Sequence, residues 1–416
     1  MINRYKKSVK YLYVGYIVQA IVNNLLPLFF VMFSEQYNIS TKKLGSLIMV
    51  NFIMQLIVDL LASKYGDKLG YRRALVLAHV SATVGVILIS VMPMILSDTY
   101  WALVIATFFF AIGGGLIEVM VSPLMDAINS GDEGKGMSFL HSFYCWGQVA
   151  VVLISTLFLV VFGQDKWMVL PFIWAIVPFL NIFPFIFTPL PETSPEHTKI
   201  PLNQLFKHKV FILFIILMVS AGAAELAMSQ WASYFAEVGL GVSKTVGDLL
   251  GPCAFAVLMG IARVIYGIYG ANMKLKRSML WCALLGIICY ALAGISQNPY
   301  LSLVGCAVCG FSVGLMWPGT ISLAGETFKG GGTAMFAILA MSGDLGCALG
   351  PWFTGIVSDY AENNSLSITN ILYPALEPQQ TSIKLGVLAG VIFPLVTVIS
   401  LLVLKHKKKR GKNYEA

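Results

Sequence analysis

A few residues capable of chemistry stand isolated in long apolar stretches. Glu118 is the only acidic group in GGGLIEVMVSPL, where its neighbours over two turns on either side are almost all apolar or small. An ionised carboxylate at bilayer depth costs at least ~2.5 kcal/mol, so such a residue needs a proton, a partner or an aqueous cavity. Glu118 could bind a proton or a substrate hydroxyl, with His141 at similar depth tuning it, or Ser122 at i+4 could simply satisfy it. Asp344, in GDLGCALGP, is a second candidate for ion coupling, although a glycine-rich run also marks close helix packing. Glu225 is followed by Ser229, Gln230 and Trp231, a set able to hold a hydroxylated ring by hydrogen bonding and stacking or to border an outer vestibule. Gln19, Asn23 and Pro27, spaced i, i+4, i+8, share one helix face, as do His141, Cys145 and Gln148. Amides such as these can be ligands, offering both donors and acceptors, or interhelical glue.

Long apolar helices must position these groups. Of 416 residues, 57% are hydrophobic and 12% charged, with a mean hydropathy of +0.79. A soluble domain carries roughly 25% charged residues, so the composition is that of a membrane protein. Twelve apolar windows have the length of about 20 residues needed to cross a bilayer: 11–34, 44–63, 74–94, 100–125, 137–162, 167–189, 209–237, 245–270, 278–296, 300–325, 334–358 and 383–404. The basic start MINRYKKSVK lacks a cleavage pattern, so the first window reads as a retained helix. With both termini on one side, 22 of the 28 Lys and Arg residues fall on that side, which predicts cytoplasmic termini. The net charge of +8 therefore reflects topology and a tail, KHKKKRGK, suited to an anionic leaflet, rather than a nucleic-acid partner. All seven cysteines fall inside predicted spans, and neither disulfides nor a metal site is expected. A proline-containing polar loop over 190–208 separates an N-terminal six-helix bundle, 1–189, from a C-terminal bundle with a basic tail, 209–416.

The two bundles echo each other. YGDKLGYRR (65–73) precedes YGANMKLKR (269–277) by 204 residues, GLIEVMVSP precedes GFSVGLMWP by 195, and Gly147-Gln148 precedes Gly343-Asp344 by 196. Each match connects equivalent helices, as expected for parallel repeats. SKYGDKLGYRR resembles the loop 2–3 signature of the major facilitator superfamily, with Asp67, Gly70, Arg72 and Arg73 in register and Ser63 replacing the first glycine. The resemblance implies an all-α membrane fold of twelve helices in two pseudo-symmetric six-helix bundles. GLIEVMVSP, LHSFYCWGQ, GAAELAMSQW and GLMWPGTISL further resemble helix 4, 5, 7 and 10 signatures of the fucose permease-like sugar symporters, with Ser122 replacing an asparagine. That group's permease couples protons through a helix-1 aspartate, where this chain offers Asn23 and Asn24, which cannot carry a proton. Asp59 and Arg263, 204 residues apart, are expected to join Asp67, Gly70, Arg72 and Arg73 in an inner gate, or else to pair statically at the headgroups.

The expectation is a monomeric secondary transporter of the cell membrane, without a cofactor, moving a small polar solute by alternating access. A sugar is favoured, with proton- or sodium-coupled symport. Gln19, Asn23, Asn24, Gln148, Glu225, Gln230, Trp231 and Trp317 are the candidate substrate ligands, and Glu118, His141 and Asp344 the candidate coupling residues. Proton-driven drug export is the alternative, although the exporters' GxxxGP-like pattern occurs here in helix 11 (GCALGP) rather than helix 5. A non-transporting sugar sensor is the alternative from a different class. The sequence has no HExxH, GxSxG or nucleotide-binding loop to suggest an enzyme.

Overall fold

The computed structural model describes residues 2–128, 135–190, 202–270, 273–328, 332–364 and 376–404, and among these every regular element is helical. Twelve spans are long and apolar enough to cross a membrane. In the first six are α1 (Lys7–Tyr37), α2 (Thr41–Ala62), α3 (Tyr71–Ile95), α4 (Thr99–Ser122), α5 (Leu140–Phe162) and α6 (Gln164–Phe187). The second six are α7 (Lys209–Gly239), α8 (Lys244–Tyr269), α9 (Leu275–Ile295), α10 (Pro299–Thr327), α11 (Met335–Asn364) and α12 (Pro378–Val403). The end bearing Lys7 and Val403 is called the terminal end below, and the end bearing Thr41 and Lys244 the far end.

Each predicted window overlaps one span, with Lys244 at the start of α8 and Lys384 within α12. Lys244 and Lys384 are both buried; their ammonium groups donate to the carbonyls of Leu28 (3.1 Å) and Ser296 (2.8 Å). A long aliphatic stem can lie in apolar packing while its charged tip finds oxygen acceptors, which hydropathy windows do not register.

Helices pack mainly within two groups of six, α3 on α4 and α6, α1 on α5, and α7 on α11, with α12 against α11. Large apolar side chains such as Leu157, Phe187, Trp281 and Leu402 remain exposed on the outside, as a lipid-facing surface requires. The glycine run of α11 serves packing: a Cβ on Gly346 would lie 2.0 Å from the Val219 carbonyl oxygen, and one on Gly350 2.5 Å from that of Ala223. Only glycine allows α7 and α11 to approach so closely.

α1 and α8 are broken where proline withholds a backbone donor. α1 changes to a 3₁₀ turn over Leu26–Phe29 around Pro27, and α8 to a π turn over Leu249–Cys253 containing Pro252. α7 is interrupted at Gln230–Trp231, next to the α1 break. The groups of six meet along three seams, α2–α11, α5–α8 and α1–α7. At the far end of the first seam, Gly45 sits against Pro351 and Trp352, and Thr41 Oγ1 donates to the Gly355 carbonyl at 3.4 Å.

Candidate functional site

A ladder of amides runs through the N-terminal group. Gln19 Nε2 donates to Glu118 Oε2 (3.1 Å) and to Gln55 Oε1 (2.9 Å). Gln55 Nε2 in turn donates to Asn23 Oδ1 and Asn51 Oδ1, both at 2.9 Å, and Asn51 Nδ2 reaches Asn23 Oδ1 at 3.1 Å. Asn24 donates to the Tyr144 hydroxyl (3.3 Å) and accepts from Gln230 Nε2 (3.3 Å), so the polar set crosses the α1–α7 seam. Asn23, Asn51 and Gln230 also line a narrow cleft of about 10 Å³ beside Pro27 and Phe110. The cleft as it stands is too small for a ligand larger than water. Gln148 is buried in α5, next to Gly147, which faces Ala20 of α1.

Glu118 is half-buried, and its amide partner comes from α1. Ser122, the simpler explanation for its presence, instead exchanges a hydrogen bond with the Tyr16 hydroxyl at 2.8 Å. His141 meets the edge of the Tyr16 ring, with centroids 5.1 Å apart. Tyr16 thus stands between the histidine and the helix that carries Glu118.

The second group contains a buried ion pair. Arg263 Nη2 lies 3.1 and 3.3 Å from the two Glu225 oxygens, while Nη1 donates across the α5–α8 seam to Cys145 Sγ at 3.5 Å. This corrects the expected partnership of Arg263 with Asp59: a guanidinium held by a carboxylate in its own bundle has no reason to cross to another. Asp59 instead meets Asp344 across the α2–α11 seam, the two carboxyls within hydrogen-bonding range. Trp231 is fully buried in the α1–α7 seam, its Nε1 donating to the Pro351 carbonyl (2.9 Å) and its ring against Phe30. Trp317 is half-buried and packs over Gly343, so it reaches the neighbourhood of Asp344.

The expected inner gate also changes. Arg72 donates to the carbonyls of Phe185, Ile186 and Thr188, capping the C-terminal end of α6 in its own half. Arg73 is exposed, Gly70 supplies a positive φ (74°) at the start of α3, and the Asp67 side chain lies outside the described residues.

The far end holds a polar node that the sequence reading missed. Asp248 accepts from Thr156 Oγ1 (2.7 Å), Ser233 Oγ (2.5 Å) and the Lys244 ammonium (3.2 Å to Oδ2), while Lys244 also reaches Leu28 O and lies 3.8 Å from Glu237. Leu28 and Thr156 belong to one half and the other members to the second, so the node ties the halves together. The i, i+4 spacing of Lys244 and Asp248 was its visible signal. Asn51 and Gln55 were missed likewise, although Asn51, Gln55 and Asp59 form an i, i+4, i+8 stripe like that of α1.

Comparison with known proteins fits this architecture. The family model of the Major Facilitator Superfamily matches residues 12–351 and 252–413, and the chain belongs to that superfamily. It is a multi-pass membrane transporter and not an enzyme. No curated protein matches the sequence significantly. Among solved structures, a variant of the nucleoside transporter NupG superposes with a TM-score of 0.73 at 13% identity, covering 95% of this chain and 99% of that one. A D-xylose-proton symporter gives 0.71 at 16% identity, covering 94% and 97%. A variant of the E. coli fucose:proton symporter FucP gives 0.62 at 14% identity, covering 95% and 99%. At these identities the likeness is one of fold.

Proposed function

We propose that this protein carries a hydroxylated solute, a sugar in the first instance, across the cell membrane by alternating access, as an ion-coupled symporter with both termini in the cytoplasm. The reading assigns 1–189 and 209–416 to the two rocking bundles, 190–208 to their connection, and the monomer to transport. The observation that carries it is the amide ladder from Glu118 through Gln19, Gln55 and Asn23, which with Asn24 and Gln230 gives a seam between the halves paired donors and acceptors at its centre. Such groups suit a ring bearing several hydroxyls, and their mutual hydrogen bonds substitute for the ligand while the halves are closed. The presence of sugar and nucleoside carriers among the structural neighbours supports this substrate class.

In this reading Gln19, Asn23, Asn24, Gln148 and Gln230 bind solute, with Glu118 as a coupling carboxyl held by Gln19. Glu225 is committed to Arg263, Trp231 closes the seam, and Trp317 contacts the solute from its half-buried position. The test is uptake into sealed vesicles containing purified protein, using labelled hexoses, pentoses and nucleosides under a proton gradient, a sodium gradient or neither. Saturable uptake concentrated by one gradient in wild type, and uptake that only equilibrates in Glu118→Gln, is the expected pattern. Full concentrative uptake by Glu118→Gln removes that residue from coupling, and no flux of any hydroxylated solute by folded protein overturns the substrate class.

A further inference from the structure

The helices that contain α2, α4 and α11 continue past the spans, running Thr41–Leu69, Thr99–Ile128 and Gly332–Asn364; Asp59, Glu118 and Asp344 lie at one depth in them, each 10 to 12 residues from the terminal-end limit, or roughly 15–18 Å at 1.5 Å per residue. Asp59 and Asp344 come from opposite halves and face each other over the seam where α2 and α11 run antiparallel. Both are more than nine-tenths buried, and Asp59 Oδ1 and Asp344 Oδ2 have no hydrogen-bond partner. Around the pair stand Glu118 of α4, Cys347 of α11 and, further along, Tyr16 of α1 and His141 of α5. The nearby cation, Arg263 of α8, is bound to Glu225 of α7.

We propose that Asp59 and Asp344 form a single-proton site that clasps the two halves together on the terminal side of the solute site. With one proton between them, one carboxyl donates to the other and α2 stays against α11. With both ionised, two like charges face each other in a poorly solvated seam and separate. A proton fits better than a metal ion: two oxygens suffice for it, whereas among the described residues no three Asp, Glu, His or Cys side chains converge as ligands. Proton release toward the terminal side would thus open the path for the solute, an assignment that rests on the transport reading and adds to it the ion and the moving part.

The clasp can be tested without any solute, so its failure and that of the sugar reading are distinguishable. Purified full-length protein in lipid is followed by infrared spectroscopy of the carboxylic-acid stretch. Spin labels on Leu69→Cys and Phe336→Cys, exposed positions near the terminal ends of α2 and α11, report separation in a background lacking the native cysteines. Going from acid to alkaline, wild type is expected to lose one carboxylic-acid band and to lengthen the label distance in the same transition. Asp59→Asn and Asp344→Asn each leave one titratable carboxyl but no pair of like charges, so each abolishes the lengthening, and Glu118→Gln moves the midpoint but keeps the transition. A wild-type distance independent of pH, a pH-dependent lengthening surviving in either Asn variant, or one lost in Glu118→Gln overturns the proposal. The wild-type arm decides by itself if a variant does not fold.

Discussion

Replacing Asp248 by Asn should open the far end. In the closed seam the Lys244 and Asp248 side chains are 5% and 1% exposed, and the carboxylate gathers Thr156, Ser233 and Lys244 from three helices. Asparagine keeps the shape but loses the charge, leaving Lys244 buried with only neutral oxygens and Glu237 at 3.8 Å. Stranding one member of a buried pair costs about 3–5 kcal/mol. If the seam parts, water solvates the ammonium and much of that cost disappears, so the penalty falls on the closed state. At ~1.4 kcal/mol per decade, the open fraction should rise roughly 100-fold, the lower end applying because asparagine can still accept hydrogen bonds. The assay is alkylation of Thr41→Cys by an impermeant maleimide, read against the parent without that cysteine. Thr41 is 3% exposed and faces Gly355 across the seam, so its labelling rate follows far-end opening. Lys244→Met with Asp248→Leu removes both charges and should restore protection. An unchanged rate in Asp248→Asn, or labelling equally fast in the double variant, would refute the electrostatic tie.

Two further substitutions test the supports of the site by thermal unfolding in detergent. Glu225→Ala leaves the Arg263 guanidinium buried without its carboxylate and should destabilise by about 3–5 kcal/mol, while Glu225→Gln with Arg263→Met should recover much of the loss; equal losses would show that the pair contributes packing alone. Gly346→Ala drives a Cβ into the Val219 carbonyl and should cost about 1–3 kcal/mol, whereas Gly260→Ala meets Cys145 Cβ at an ordinary 3.5 Å and should be near neutral. Equal tolerance of the two alanines would mean that α7 and α11 are less tightly joined than their backbones indicate.

What the sequence conveyed, and what it withheld, follows from the range over which each interaction acts. Twelve spans were legible because hydrophobicity over about 20 residues is a property of one segment, and Glu118 stood out because a single carboxylate contrasts with everything within two turns of it. Stripes at i, i+4 were legible in α1 for the same reason, and the α2 stripe of Asn51, Gln55 and Asp59 was equally available. Partner choice was not. Asp59 could be matched to Arg263 by repeat position, yet repeat symmetry relates residues that occupy equivalent places in different bundles, and equivalent places need not touch. The rotation of each helix about its axis brought Arg263 to Glu225 within one bundle and left Asp59 against Asp344 between bundles. A seam between moving halves can hold two carboxyls where a static core would favour a carboxylate and a cation, since a strong ion pair there would resist every opening. The same logic separates the two ends: at the far end Lys244 and Asp248 belong to one helix, so the pair itself survives opening, and only their bonds to Leu28 and Thr156 must break. Under the proposed alternating access, both ends are therefore held by interactions that can be released at modest cost, as repeated opening and closing would require.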